Sequence, residues 1–167
     1  MFNYKVFLMI GYMIFIGLLK GCTMQSTLIE QVRFGVSQVY ADKPIVGQLA
    51  LAQAILESNL LQNPSTLAVK YHNLFGIKAR GTLGTVKLKT TEIIRGRPVT
   101  VYAPFGYNRT MTDSIRQHRQ VLELPRYIKV LNASSFEEAA KEIYIAGYAT
   151  DPKYTAKLIK IYTDYIK

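Results

Sequence analysis

The chain has 167 residues, enough for one domain and an appendage, and a hydrophobic fraction of 49% with only 19% charged residues excludes a disordered polymer. Lys and Arg number 21 against 11 Asp and Glu, a formal net charge of +10, so the chain is drawn to polyanions: nucleic acid, anionic lipid headgroups or anionic wall polymers. A single cysteine excludes an internal disulfide and a cysteine metal cluster.

In chain order, Met1 to Lys5 is followed by an uncharged, mostly apolar run from Val6 to Leu19, closed by Lys20. The run is short of the about 20 residues that a spanning helix needs and suits the apolar region of an export signal. Gly21 before Cys22 resembles a bacterial lipoprotein processing site, from which Lys20 departs. The alternatives are an uncleaved anchor, an ordinary signal peptide, and a plain free thiol at Cys22. Residues 1–21 are therefore read as a signal peptide or membrane anchor. Residues 22–167 are read as one domain, exported and either membrane-anchored, periplasmic or at the cell surface. Without Lys5 and Lys20 that domain keeps a charge of 19 − 11 = +8. Export leaves a nucleic-acid partner supported by charge alone.

Leu28, Ile29, Val32, Val36, Val39 and Tyr40 recur at helical spacing, which predicts a helix over Ser26 to Asp42. Pro44 opens a second helix, Ile45 to Ser58, apolar almost all round and therefore buried. Asn63-Pro64-Ser65 signals a short helix to about Tyr71. Asn73 to Ala79 follows as a compact loop or strand. From Gly84 the period falls to two, with Val86, Leu88, Thr90, Glu92 and Ile94 on one strand face. Arg95 to Pro98 is expected to turn, Val99 to Tyr102 to return as the partner strand, and Pro104 to Arg109 to be loop. Thr112 to Leu124 is expected to be a helix ended by Pro125. Ser134 or Ser135 with Glu137 and Glu138 forms a capping box for a helix to about Ala146, terminated by Gly147. Asp151-Pro152 is expected to cap a last helix with a stripe of Leu158, Ile161, Tyr162, Tyr165 and Ile166. The expected class is α+β: mostly helical, with one hairpin.

Chemistry falls to carboxylates. His72 and His118 sit in no ligand motif, and no phosphate loop, dinucleotide fingerprint or nucleophile elbow occurs. No metal or cofactor is expected. Glu57 is the only acid between Asp42 and Glu92, and it lies at the C-terminal end of an apolar helix. The helix dipole and apolar neighbours both disfavour its ionisation, as a general acid near neutral pH requires. The plainer reading is a surface residue at a helix end. Glu92 stands on an otherwise apolar strand face; it is either a partner to Glu57 or points to solvent beside Arg95. Tyr148 and Tyr154 flank a turn containing Gly147, Asp151 and Pro152, and are either exposed sugar platforms or core.

Four stretches in order resemble the bacterial and phage glucosaminidases of glycoside hydrolase family 73, which include flagellar rod-associated hydrolases and autolysins. They are Ala50 to Ser58, Asn73-Leu74-Phe75-Gly76-Ile77-Lys78, Thr90-Thr91-Glu92, and Gly147-Tyr148-Ala149-Thr150-Asp151-Pro152-Lys153-Tyr154. The resemblance implies a lysozyme-like fold with the hairpin beside the active-site groove, and a glucosaminidase catalytic domain over 22–167. It implies hydrolysis of the β-1,4 bond after N-acetylglucosamine in peptidoglycan by a monomer, without cofactor. Glu57 would be the general acid and Glu92 a base or electrostatic stabiliser, with a substrate-assisted route as an alternative. Tyr148 and Tyr154 would line the groove, and Asn73 and Phe75 would shape its floor. The chain departs from the family in having no Trp: Asn59-Leu60-Leu61 and Arg80-Gly81-Thr82 stand where Trp residues are usual. A muramidase, a lytic transglycosylase and a non-catalytic wall-binding module are the rival expectations.

Overall fold

The computed structural model describes residues 27–94 and 97–167, apart from the side chains of residues 92–94. The export segment and Cys22 lie outside the described residues. Among the described residues no helix is long and apolar enough to cross a membrane.

Helix α1 covers 27–39, and α2 follows at Pro44–Ser58. Pro44 stands in the first turn, where its missing N–H would have had no helical partner anyway. Leu49 to Ile55 are all buried, so α2 is the central helix of the domain, packed against α6 and α7. It ends where Asn59 turns left-handed (φ 51°) and the Leu60 N–H reaches back to the Ile55 carbonyl at 3.1 Å. That stop leaves Glu57 on the last turn while Leu60 returns to the core. Helix α3, Thr66–Tyr71, is capped by Ser65.

Strands β1, Gly84–Ile94, and β2, Arg97–Tyr107, form one antiparallel hairpin, with Val86 opposite Phe105, Leu88 opposite Ala103 and Glu92 opposite Val99. Positions 86, 88 and 90 are half-buried and 85, 87 and 89 exposed, the alternation expected of a one-sided sheet. The return strand is far longer than Val99 to Tyr102. Arg97 and Pro98 pair instead of turning, and the segment from Pro104 to Tyr107 is strand instead of loop. Every strand of a two-stranded sheet has a free edge, so Pro98 and Pro104 are tolerated, and burial of Ala103 and Phe105 holds the register.

Helix α4 is Met111–Leu122, one residue earlier at its start than Thr112. The cause is a capping box between Thr110 and Asp113 that the sequence reading missed. Pro125 opens a 3₁₀ turn, Pro125–Tyr127, which leads into the short α5, Ile128–Leu131. Helix α6, Phe136–Ile145, is capped by Ser135, while Glu138 reaches Ser134 instead of closing a box on Ser135 itself. Gly147, at φ 76°, follows its last turn. Helix α7 is Tyr154–Tyr165. Asp151 does not cap it: its carboxylate accepts the Lys153 N–H at 2.9 Å and pairs with Lys157 at 2.6 Å. Tyr165 is exposed and lies off the core stripe; Tyr162 stacks on Phe136 at 3.9 Å.

Candidate active site

The site is built from the end of α2 and the start of α7. Tyr154, the first residue of α7, is buried, and its hydroxyl donates to Glu57 Oε1 at 2.8 Å. The same hydroxyl accepts the Gln53 side-chain N–H at 3.1 Å. Gln53 lies four residues before Glu57, so both emerge on one face of α2, towards α7. An amide nitrogen can only donate, so the tyrosine's own proton is free for the carboxylate and the direction of the chain Gln53→Tyr154→Glu57 is set.

Glu57 is exposed by accessible area, yet loss of hydration is the largest influence on its carboxyl, raising its pKa; the Tyr154 hydrogen bond and the Lys157 charge pull it down by less. Both observations hold for an acid open to water on one side and crowded by protein on the others. The crowding decides the direction. Burial, followed by the charge of Glu57, raises the Tyr154 and Tyr148 hydroxyls well above the usual phenol range, so both remain protonated donors.

An aromatic series supports this pair from below. Tyr148 stacks near Tyr154, ring centroids 6.2 Å apart, and meets the edge of His118 at 5.9 Å. His118 is fully buried on α4, stacks on Phe75 at 4.0 Å, and shares a 2.9 Å hydrogen bond with the Tyr40 hydroxyl. Burial lowers its pKa to about 3, so it is neutral. Its Nε2 and Gln53 Oε1 are the buried side-chain atoms without a hydrogen-bond partner among the described residues.

The expected site residues therefore separate. Glu57, Tyr148 and Tyr154 come together, but Tyr154 holds the acid with its hydroxyl and offers little ring surface to a sugar. Phe75 is buried against His118. Asn73 is buried and wholly engaged by backbone: its amide donates to the Ile77 and Gly106 carbonyls at 2.9 and 3.0 Å, and its oxygen accepts the Ile77 N–H at 3.1 Å. It ties the 73–79 loop to β2. Glu92 sits on β1 on the parity of the half-buried positions, near the hairpin end, and its side chain lies outside the described residues. Gln53 and His118 were missed. A single Gln inside the apolar run of α2 was the available signal for the first; nothing local marks the second. Among the described residues no group of three His, Cys, Asp or Glu converges as metal ligands. Five hollows on the surface, of about 280 to 710 Å³, are lined by other residues than Glu57, whose side chain is exposed.

A helical domain with an acid at the end of its buried central helix and a hairpin beside it has the lysozyme-like architecture. Within that class, the chain belongs to the Glucosaminidase family, described as mannosyl-glycoprotein endo-beta-N-acetylglucosaminidase, whose family model matches residues 36–167. The exo-glucosaminidase LytG of Bacillus subtilis is 32% identical over 147 residues, covering 84% of this chain and 51% of that protein. A probable N-acetylmuramidase of Lactococcus lactis is 32% identical over 144 residues, covering 82% and 33%. The chain thus spans a third to a half of the length of these curated relatives. Among solved structures, the catalytic domain of the autolysin Auto from Listeria monocytogenes superposes with a TM-score of 0.75 at 25% identity, covering 86% of this chain and 85% of that one. A glycoside hydrolase domain of FlgJ from Salmonella typhimurium gives a TM-score of 0.63 at 27% identity, covering 83% and 95%.

Proposed function

We propose that the chain is an exported peptidoglycan hydrolase that cleaves the β-1,4 bond after N-acetylglucosamine, with Glu57 as general acid. The observation that carries this reading is the Gln53–Tyr154–Glu57 chain. It occupies Oε1 with a donated proton, so a proton on the carboxyl resides on Oε2, the oxygen left free for a leaving group. The raised pKa keeps that proton available as pH rises above the ordinary carboxylate range. The Tyr148 hydroxyl, itself a protonated donor, stands close enough to feel the charge of Glu57. Glu92 would supply the second carboxylate, as base or electrostatic stabiliser through water, from the hairpin side of the groove. The N-terminal run, by membrane insertion or lipidation of Cys22, would hold the enzyme, as a monomer, beside its wall substrate. Membership of the Glucosaminidase family supports the bond chosen. A muramidase is the second reading, favoured by the name of the Lactococcus relatives.

Mass spectrometry of muropeptides after digestion tests the bond: reducing-end N-acetylglucosamine is expected, and reducing-end or anhydro-muramic acid would support the rival chemistry. Glu57→Gln retains an oxygen to accept from Tyr154 but has no proton to give. It should abolish clearing in a peptidoglycan gel, a loss of at least about a hundred-fold, with an unchanged circular dichroism spectrum. Clearing at the wild-type rate would refute the assignment.

A further inference from the structure

Helix α1 comes close to α4 at Gly35, where an added Cβ would lie 2.7 Å from Ile115 and 3.0 Å from Thr112. The neighbouring residue is Phe34, which is left 66% exposed. It is the one large apolar side chain on an outward stripe of α1 that otherwise carries Thr27, Glu30, Gln31 and Gln38. Phe34 borders an open hollow of about 710 Å³ with Gln38, Thr82, Arg109, Thr112 and Arg116. A second hollow, of about 300 Å³, shares Phe34, Arg109 and Thr112. At about 100° per residue, Thr112 and Arg116 lie roughly 120° to 160° around α4 from His118. The hollows therefore open on the other side of α4 from the aromatic series beneath Glu57.

The charge of this surface is simple. Asp113 is consumed by the Thr110 N–H at 3.2 Å and by Arg116 at 2.8 Å. The Arg109 guanidinium has no hydrogen-bond or ion-pair partner among the described residues, while its backbone N–H is fixed by the Thr82 hydroxyl at 2.8 Å. The result is one free cation on an anchored backbone, an exposed ring beside it, and amide and hydroxyl groups between them. A polyphosphate would call for several free cations, and a neutral glycan would call for none. One carboxylate next to apolar and amide groups is the chemistry of a short acidic peptide.

We propose that this hollow is a second binding site, for the carboxylate-bearing stem peptide of peptidoglycan. Arg109 takes the carboxylate, Phe34 packs on the apolar part of the peptide, and Gln38 and Thr112 meet its amides. Naming the peptide of the cell wall as the ligand rests on the proposed wall substrate; the chemical class rests on the hollow alone. The site would hold the enzyme on cross-linked wall independently of the groove that holds the glycan.

The test is an NMR titration of the full chain with N-acetylmuramoyl-L-alanyl-D-isoglutamine, which carries one free carboxylate. Amide shifts should concentrate at Thr82, Arg109, Thr110 and Thr112. Arg109→Gln and Phe34→Ala should each weaken binding about ten-fold, the change that loss of one charge-assisted hydrogen bond or one aromatic contact produces. Both side chains lie at the surface, and unchanged reference spectra would confirm that the variants fold. Shifts confined to Glu57, Tyr148 and Tyr154, wild-type affinity in either variant, or no binding at millimolar probe would each overturn the proposal. The probe contains no glycosidic bond to hydrolyse, so its binding is decided separately from whether the chain cleaves glycans.

Discussion

The hydroxyl of Tyr154 does two opposed things to Glu57. It fixes the carboxyl's position, leaving Oε2 free, and it stabilises the ionised form, partly offsetting the rise in pKa that burial causes. Removing it should therefore separate geometry from titration. In Tyr154→Phe the carboxyl loses a donor that favours its charge, so its pKa rises further. In its proposed role of general acid Glu57 works in its protonated form, so activity would be lost as pH increases through that pKa, and the alkaline limb of kcat should move to higher pH. The height of the optimum should nevertheless fall about ten- to hundred-fold, because the acid is no longer held in place. Gln53, left with a buried amide and no acceptor, adds a stability loss of about 1–3 kcal/mol. A pH–rate profile of the variant against wild type checks this; an alkaline limb that stays put or moves to lower pH would show that Tyr154 does not govern the proton on Glu57.

Elements around the site are joined by a few buried polar side chains. Asn73 makes three hydrogen bonds to backbone, two within its own loop at Ile77 and one across to Gly106 of β2. Ser58, next to Glu57, donates to the Leu74 carbonyl at 2.7 Å, and the Ser114 hydroxyl oxygen accepts the Leu74 N–H at 3.0 Å. The 73–79 loop is thus the joint between α2, α4 and the hairpin. Asn73→Ala would strip partners from buried carbonyls and should lower stability by about 2–3 kcal/mol, read as a shift in the urea midpoint. Activity should fall with it, since the hairpin base is no longer tied to the helix that carries Glu57. An unaltered midpoint would remove Asn73 from this role. These joints also explain what could be read from the chain and what could not. The central helix and its acid were legible because Pro44, the apolar run and Asn59 are local signals with local causes. The hairpin was legible by its alternation, but its return strand was cut short because prolines mark turns in most contexts and only the two-stranded sheet makes Pro98 and Pro104 harmless. The partnership of Tyr154 with Glu57 spans 97 residues, and no spacing rule reaches across it. The same holds for His118, whose isolation in the sequence hides its place among Tyr40, Phe75 and Tyr148.

At the scale of the molecule, the excess of 21 cations over 11 acids sets the long-range field. Glu30, Asp42, Asp113, Glu123, Asp151 and Asp164 are each held in an ion pair, so much of the negative charge is neutralised within a few ångströms. Lys87 and Lys89 stand exposed on the outer face of the hairpin opposite Pro104 and the strongly exposed Tyr102. On the proposed function, a wall polymer would meet a surface on which cations outnumber acids, whose attraction extends over a Debye length of about 10 Å at 0.1 M salt and only about 3 Å at 1 M. Contacts inside the groove are short-ranged and far less sensitive to salt. Retention on purified sacculi should accordingly divide into two parts. With Glu57→Gln in the full chain, so that the wall is not digested during the measurement, the bound fraction should fall several-fold between about 0.05 and 1 M sodium chloride and level off at a residue set by the groove. Charge reversal at both Lys87 and Lys89 should lower the low-salt retention and leave the high-salt plateau where it is. A retention curve flat in salt would mean that contacts, and not the +10 charge, hold this protein on the sacculi.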